Sequence, residues 1–201
     1  MQYQGRPAQR RDSQLRRQAI LQATLDIIAE QGVREVRHRA VASRAGVPLS
    51  ATTYYFSDIN ALLHDALLYF LESGMATIEE IQQQALTLSS LPRTEQIDAL
   101  SQLLADYVAQ QVNDRANRHI EWAFRECALR DNNLAHAQIT VQHTMLNAIS
   151  AYFRLNDKSH QQADLLANAV LGTLLQLEYQ ALLGMPDDNV LILRSLLDHL
   201  L

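Results

Sequence analysis

The chain has 201 residues, 48% of them hydrophobic, enough to bury a sizeable core in one large or two small domains. No uninterrupted apolar run reaches the ~18 residues of a membrane span. The N-terminus lacks the apolar core of a signal peptide. The lone Cys127 excludes an internal disulfide framework and fits a reducing cytoplasm. The net charge of −5 hides a split: residues 1–58 carry nine arginines against five acids, a net +4, which leaves −9 on the remainder. A basic module on an acidic body suits a chain whose first part alone meets a polyanion.

Helix formers dominate, glycine and proline are scarce, and no period-2 strand of useful length occurs, so the chain reads as all-α with about nine helices. Residues 1–11 are polar and arginine-rich and are expected to be mobile. A first helix is predicted over 13–31, capped by Asp12 or Ser13, striped by Ile20, Ala23, Ile27 and Ile28, and ended by Gly32. Two short helices follow, joined at Gly46. A long helix from Asp58 to about Gln84 carries Leu62, Leu63, Ala66, Leu67, Phe70 and Leu71 at helical period. Further helices are predicted over 94–113, 118–130, 134–154 and 161–183, with a last one running to Leu201. Their breaks are Ser89–Pro92, Asn113–Asp114, Asp131–Asn133, Asn156–Ser159, and Gly184 with Pro186; Asp187, Asp188 and Asn189 supply capping groups for the last. The last two helices are apolar almost all round. Such a helix is either central in a core or pressed against a partner, and a four-helix interface between two copies is the attractive alternative.

The segment His38–Phe56 is the most informative. Val41, Ala42 and Ala45 form one buried stripe, Gly46 turns the chain, and Val47 tucks beneath the turn. Pro48 is tolerated in the first turn of a second helix over Leu49–Tyr55, Phe56 anchors its end, and Ser57 or Asp58 caps the next helix. The second helix offers small polar and aromatic side chains in place of a wide apolar face. That suits a helix laid into the DNA major groove, although on spacing alone the unit is equally an ordinary helical hairpin.

The first 65 or so residues resemble the tetracycline-repressor (TetR) family of regulators. The likeness rests on Gln31-Gly32, Val41-Ala42-Ser43-Arg44-Ala45-Gly46-Val47, Thr53-Tyr54-Tyr55-Phe56 and Ala61-Leu62-Leu63, in order and spacing. The resemblance implies a homodimer with an N-terminal three-helix helix-turn-helix DNA-binding domain, here 1–60, and a C-terminal helical ligand-binding and dimerisation domain, here 61–201. It implies a cytoplasmic regulator, usually a repressor, released from a palindromic operator by a small molecule. Departures stand at Pro48, where the family usually has Ser or Thr, and at Ile59, where it usually has a phosphate-binding lysine. Ser50-Ala51 replaces a frequent Gly-Thr, Thr53 a Tyr, and Arg37 a common Thr. Lys158 is the chain's one lysine, so phosphate contacts fall to arginine, backbone N–H groups and hydroxyls.

The candidate DNA-binding residues are Arg37, His38, Arg39, Leu49, Ser50, Ala51, Thr52, Thr53, Tyr54 and Tyr55. Hydroxyls of Ser50, Thr52 and Thr53 can donate to or accept from base edges, and Leu49 can meet a thymine methyl. Tyr54 and Tyr55 can place hydroxyls on phosphates, although Tyr55 equally suits packing under the helix. Arg10, Arg11, Arg16 and Arg17 are further candidates for phosphate or the minor groove, and Arg44 for phosphate. The candidate ligand-binding residues are the aromatic or soft side chains Tyr107, Trp122, Cys127, Met145 and Tyr179. The expected partners are double-stranded operator DNA, a second copy through the last two helices, and a small-molecule effector, with no membrane. There is no Gly-rich phosphate loop, His-Glu-x-x-His helix or Cys-x-x-Cys pair. His136 and His143 lack a third ligand. Neither a catalytic residue, a metal nor a cofactor is therefore expected. A helical protein-interaction module is the alternative, and an enzyme a more distant one.

Overall fold

The computed structural model describes residues 2–156, 158–185 and 188–201. Among them are nine α-helices, one 3-10 turn at Val33–Glu35 and no strand. The helices are α1 (Arg11–Gln31), α2 (His38–Arg44), α3 (Leu49–Tyr55), α4 (Ile59–Leu88), α5 (Arg93–Asn113), α6 (Arg115–Ala128), α7 (Asn132–Leu155), α8 (His160–Leu182) and α9 (Asn189–Leu200). Met1, Asp157, Pro186 and Asp187, which the sequence places in the arm, a turn, a helix stop and a cap, lie outside the described residues. No helix among the described residues is long and apolar enough to cross a membrane.

The chain divides into two compact units, Met1–Gly74 with Ala116–Ile139, and Met75–Arg115 with Thr140–Leu201. The expected division after residue 60 falls inside α4, and α4 residues up to Gly74 belong to the first unit.

In the first unit, α1 is buried along one continuous stretch, Ile20, Leu21, Thr24, Leu25 and Ile28 among others, because α2 and the 3-10 turn pack against it. Val41, Tyr55, Phe56, Leu62, Leu67, Leu68 and Phe124 are among the other buried apolar residues of this unit. Helix α1 starts earlier than its capping residues suggest. Arg10 is its N-cap, with no side-chain cap bond, and Asp12 lies in the first turn, where its negative charge complements the positive end of the helix dipole. Asp58 does cap α4: its Oδ1 accepts from Ala61 N–H at 2.9 Å, and Ser57 donates to its Oδ2 at 3.0 Å. These bonds hold the Asp58 carboxyl below its usual range, the Ala61 N–H being the larger cause.

The second unit is built on α5 packed against α8 and α9. Its core includes Ile97, Leu100, Val108, Phe153, Val170, Leu174, Leu193 and Leu197. Ser159 opens α8 with a capping box, accepting from Gln162 N–H while its own N–H donates to Gln162 Oε1. Gly184, at φ 79°, ends α8: Gly184 N–H donates to Ala181 O and Met185 N–H to Gln180 O. Asp188 caps α9 through Leu191 N–H at 3.0 Å. Both terminal helices bury one face and leave apolar side chains on the other, with Leu165 66% and Leu191 62% exposed.

Candidate nucleic-acid interface

The turn between α2 and α3 is set by three residues. Ala45 closes α2, and Gly46 stands at φ 65°, where an L side chain is disfavoured. Gly46 N–H then donates to Ser43 O at 3.4 Å and Val47 N–H to Ala42 O at 3.0 Å. The two bonds form a Schellman motif that satisfies carbonyls the helix end leaves open. Pro48, extended at φ −60° and ψ 146°, is the N-cap of α3; it supplies no side-chain cap, but its carbonyl accepts from Ala51 N–H at 2.8 Å.

Helix α3 presents two unlike faces. Leu49, Ser50, Thr53 and Tyr54 are exposed, the spacing i, i+1, i+4, i+5 of a single stripe. Thr53 makes only local bonds, to Ser50 O at 3.3 Å and Leu49 O at 3.5 Å, which a DNA base can replace. Ala51 is half-buried. Thr52 and Tyr55, three residues apart, turn inward, and the structure removes both from the reading surface. Thr52 is fully buried with its hydroxyl on Leu49 O at 2.8 Å. Tyr55 is 5% exposed, its hydroxyl donating to Ser13 O at 3.3 Å and its ring edge-on to Tyr54. At the start of α2, Arg37 and Arg39 are exposed and His38 is half-buried.

The arginines before and within α1 are not equivalent. Arg10, Arg11 and Arg16 are exposed. Arg17 is paired with the buried carboxylate of Asp65, whereas Arg44 pairs with Glu30 at the surface. Residues 2–10, expected to be mobile, are tied to the same unit: Gln4 and Gly5 N–H groups donate to Asp65 at 2.7 and 2.9 Å, and Tyr3 donates to Glu72 at 2.5 Å. Burial foremost, then this bond, raises the Tyr3 hydroxyl well above its ordinary pKa. Sequence reasoning missed Asp65. Its one signal is a carboxylate inside the apolar run Leu62–Leu68, where a charge survives only with a partner.

Residues 20–66, which contain this turn and both of its helices, match the model of bacterial regulatory proteins of the tetR family. The N-terminal domain is a TetR-family domain. No curated protein matches the chain. Solved structures resemble it over nearly its whole length. The multidrug binding protein EbrR, complexed with imidazole, is 26% identical with a TM-score of 0.66, covering 92% of this chain and 94% of its own. A TetR-family member from Streptomyces coelicolor A3 is 25% identical (TM-score 0.63; 92% and 98% covered). A TetR-family regulator from Mesorhizobium loti MAFF303099 has a TM-score of 0.75 at 17% identity, covering 96% and 97%, a likeness of fold. The family match covers the helix-turn-helix unit described above, and the likeness to EbrR and to the Streptomyces protein extends over the rest of the fold.

The second unit holds a half-open apolar cavity of about 100 Å³ among α4, α5, α7, α8 and α9. Of the expected ligand residues, Tyr107 and Met145 line it. Trp122 and Cys127 belong to the first unit, and Tyr179 is 45% exposed on α8, so none of these three lines the cavity. No acidic, basic or histidine side chain is among the described residues of its wall; the polar side chains there are Gln82, Tyr107 and Tyr152. The Tyr152 hydroxyl accepts from Gln96 Nε2 at 2.6 Å, and burial raises its pKa. Among the described residues no cluster of His, Cys, Asp and Glu could hold a metal ion.

Proposed function

We propose that this regulator reads a roughly palindromic operator as a homodimer and, as a repressor, releases it when a small molecule enters the second-unit cavity. The observation that carries the DNA reading is the exposed stripe Leu49–Ser50–Thr53–Tyr54 on α3, with Arg37 and Arg39 exposed at the start of α2. Ser50 and Thr53 meet base edges, Leu49 a thymine methyl, and Tyr54 a phosphate; Arg37 and Arg39 hold the backbone, with His38 and Ala51 at the margin. Residues 1–60 carry the reading function and 61–201 effector binding and dimerisation, without catalysis and in the cytoplasm.

The apolar faces of α8 and α9 support a dimer contact through the last two helices. Leu165 and Leu191 on them are more than 60% exposed, a cost that association removes. Two copies so joined present two recognition helices to half-sites one DNA turn, ~34–36 Å, or a multiple of it apart.

The cavity wall favours an effector that is neutral, largely apolar and about the size of one aromatic ring, oriented by Gln82 and Tyr107. A charged effector finds no ion-pair partner there, and burying an unpaired charge is costly. The imidazole held by EbrR is a ligand of that size in a similar fold. Helix α4 contributes residues to both units and is the natural lever for release. A ligand shifts the equilibrium only by its differential affinity for the two states.

Footprinting on the DNA flanking the protein's own gene tests the reading. A protected, two-fold symmetric site released by a neutral ring compound, but not by choline or benzoate, supports it. Absence of any specific site, with salt-insensitive binding to a protein partner, overturns it.

A further inference from the structure

Residues 2–10 form no helix, yet one side chain locks them down. Asp65 is fully buried, and its carboxylate faces Gln4 N–H at 2.7 Å, Gly5 N–H at 2.9 Å, the Arg17 guanidinium, and His64 Nδ1 at 3.2 Å. A buried carboxylate is tolerable only when so surrounded. Gly5 fits because it has no side chain: a Cβ there would lie 2.6 Å from the Phe56 ring and 2.8 Å from Asp65 Oδ2.

The latch fixes the next residue. Arg6 N–H donates at 2.8 Å to the carbonyl of Tyr55, one of the last carbonyls of α3 and without an intrahelical donor. The Arg6 guanidinium carbon stands 4.3 Å from the centre of the Tyr54 ring. Tyr54 is part of the exposed stripe of α3. Arg6 is itself exposed, and no carboxylate among the described residues pairs with it, unlike Arg17 and Arg44.

The geometry points to a further DNA contact: the latched arm presents Arg6, stacked on Tyr54, to a DNA phosphate at the edge of the groove that α3 enters. This rests on the DNA-reading role proposed above. Stacking uses the flat face of a guanidinium and leaves its N–H edge outward, the edge that meets phosphate oxygens two at a time. Holding the arm before DNA arrives removes the ordering cost that a free tail incurs on binding.

The test compares the full-length protein with Arg6→Ala and Arg6→Lys on two duplexes, one from the DNA flanking its gene and one unrelated, across a salt series. Arg6→Ala weakens binding to both duplexes by the same factor and lowers the salt slope by about one. The gap to wild type therefore shrinks about threefold to fourfold for each fourfold rise in salt. Its melting temperature stays that of wild type. Arg6→Lys restores the slope but not the full affinity, since lysine stacks less well. Gly5→Val, which cannot keep the latch closed, loses the same unit of slope with Arg6 in place. An unchanged slope and affinity in Arg6→Ala, beside a wild type that binds, overturns the contact and leaves the DNA-reading role standing. A lowered melting temperature with an unchanged slope also overturns it, making Arg6 a packing residue. A wild type that binds neither duplex overturns the DNA-reading role, and the arm contact with it.

Discussion

Val47 donates its backbone N–H to the carbonyl of Ala42 at 3.0 Å, and this bond turns the chain from α2 into α3. It closes only because Gly46 between them stands at φ 65°. Gly46→Ala keeps open space around its Cβ but puts an L residue in the left-handed region, which costs about 1–2 kcal/mol. Thermal unfolding should show a melting temperature lower by several degrees, and DNA affinity should fall as α3 loses its angle.

Thr52 and Thr53 are adjacent, chemically identical and oppositely placed. Thr53→Ala should change which bases are preferred at one position of each half-site, by about 1–3 kcal/mol when a good base contact is lost. Thr52→Ala should lower stability and leave the base preference alone. Selection of binding sites from a randomised duplex pool, run on both variants, checks this. A changed preference in Thr52→Ala would contradict the assignment of faces.

Asp58 gives the N-terminal unit an acid-sensitive element. Its folded carboxyl is held below the ordinary value by the Ala61 N–H and then by the Ser57 hydroxyl. The resulting stability is present at pH above the unfolded value of about 3.9 and is lost as pH falls through the lower, folded value. Asp58→Ala should cost about 1 kcal/mol at neutral pH. Asp58→Asn should keep most of the cap and remove its share of the acid dependence, as followed by denaturant unfolding at several pH values.

Leu165 on α8 and Leu183, just past its end, are exposed. A charge there, Leu165→Glu or Leu183→Arg, should convert a dimer to a monomer in sedimentation and weaken operator binding. The control is Leu129→Glu in the other unit, where the leucine is 87% exposed and no interface is proposed. It should leave the sedimentation coefficient unchanged.

Ala148 borders the cavity. Ala148→Phe adds a ring where about 100 Å³ is open, so the protein should still bind DNA but lose thermal stabilisation by a neutral ring compound. Retained stabilisation would move the effector site elsewhere.

The limits of α3 were legible because Gly46 and Pro48 punctuate the chain on one side and Phe56 on the other, and each acts within one turn of itself. The cap at Asp58 was legible for the same reason. The cap of α1 was not. Asp12 and Ser13 are good capping residues, but the helix extends past them to Arg11 with Arg10 as its N-cap. Among the candidate ligand residues, aromatic or soft character marked Tyr107 and Met145 but marked Trp122, Cys127 and Tyr179 equally. Composition carries no information on which helix face meets a cavity.

Local chemistry settles that this chain is helical, where its turns fall, and that its basic first part ends in a helix-turn-helix. Hydrogen bonds between near neighbours, glycine's freedom at positive φ and the 3.6-residue period all act over a few residues. Packing alone decides that Thr52 and Tyr55 are core while Thr53 and Tyr54 are surface, that Arg17 is spent on Asp65, and that the N-terminal arm is held beside α3. The last two outcomes depend on groups 48 to 61 residues apart in sequence, Arg17 or Gln4 against Asp65, which no local pattern brings together.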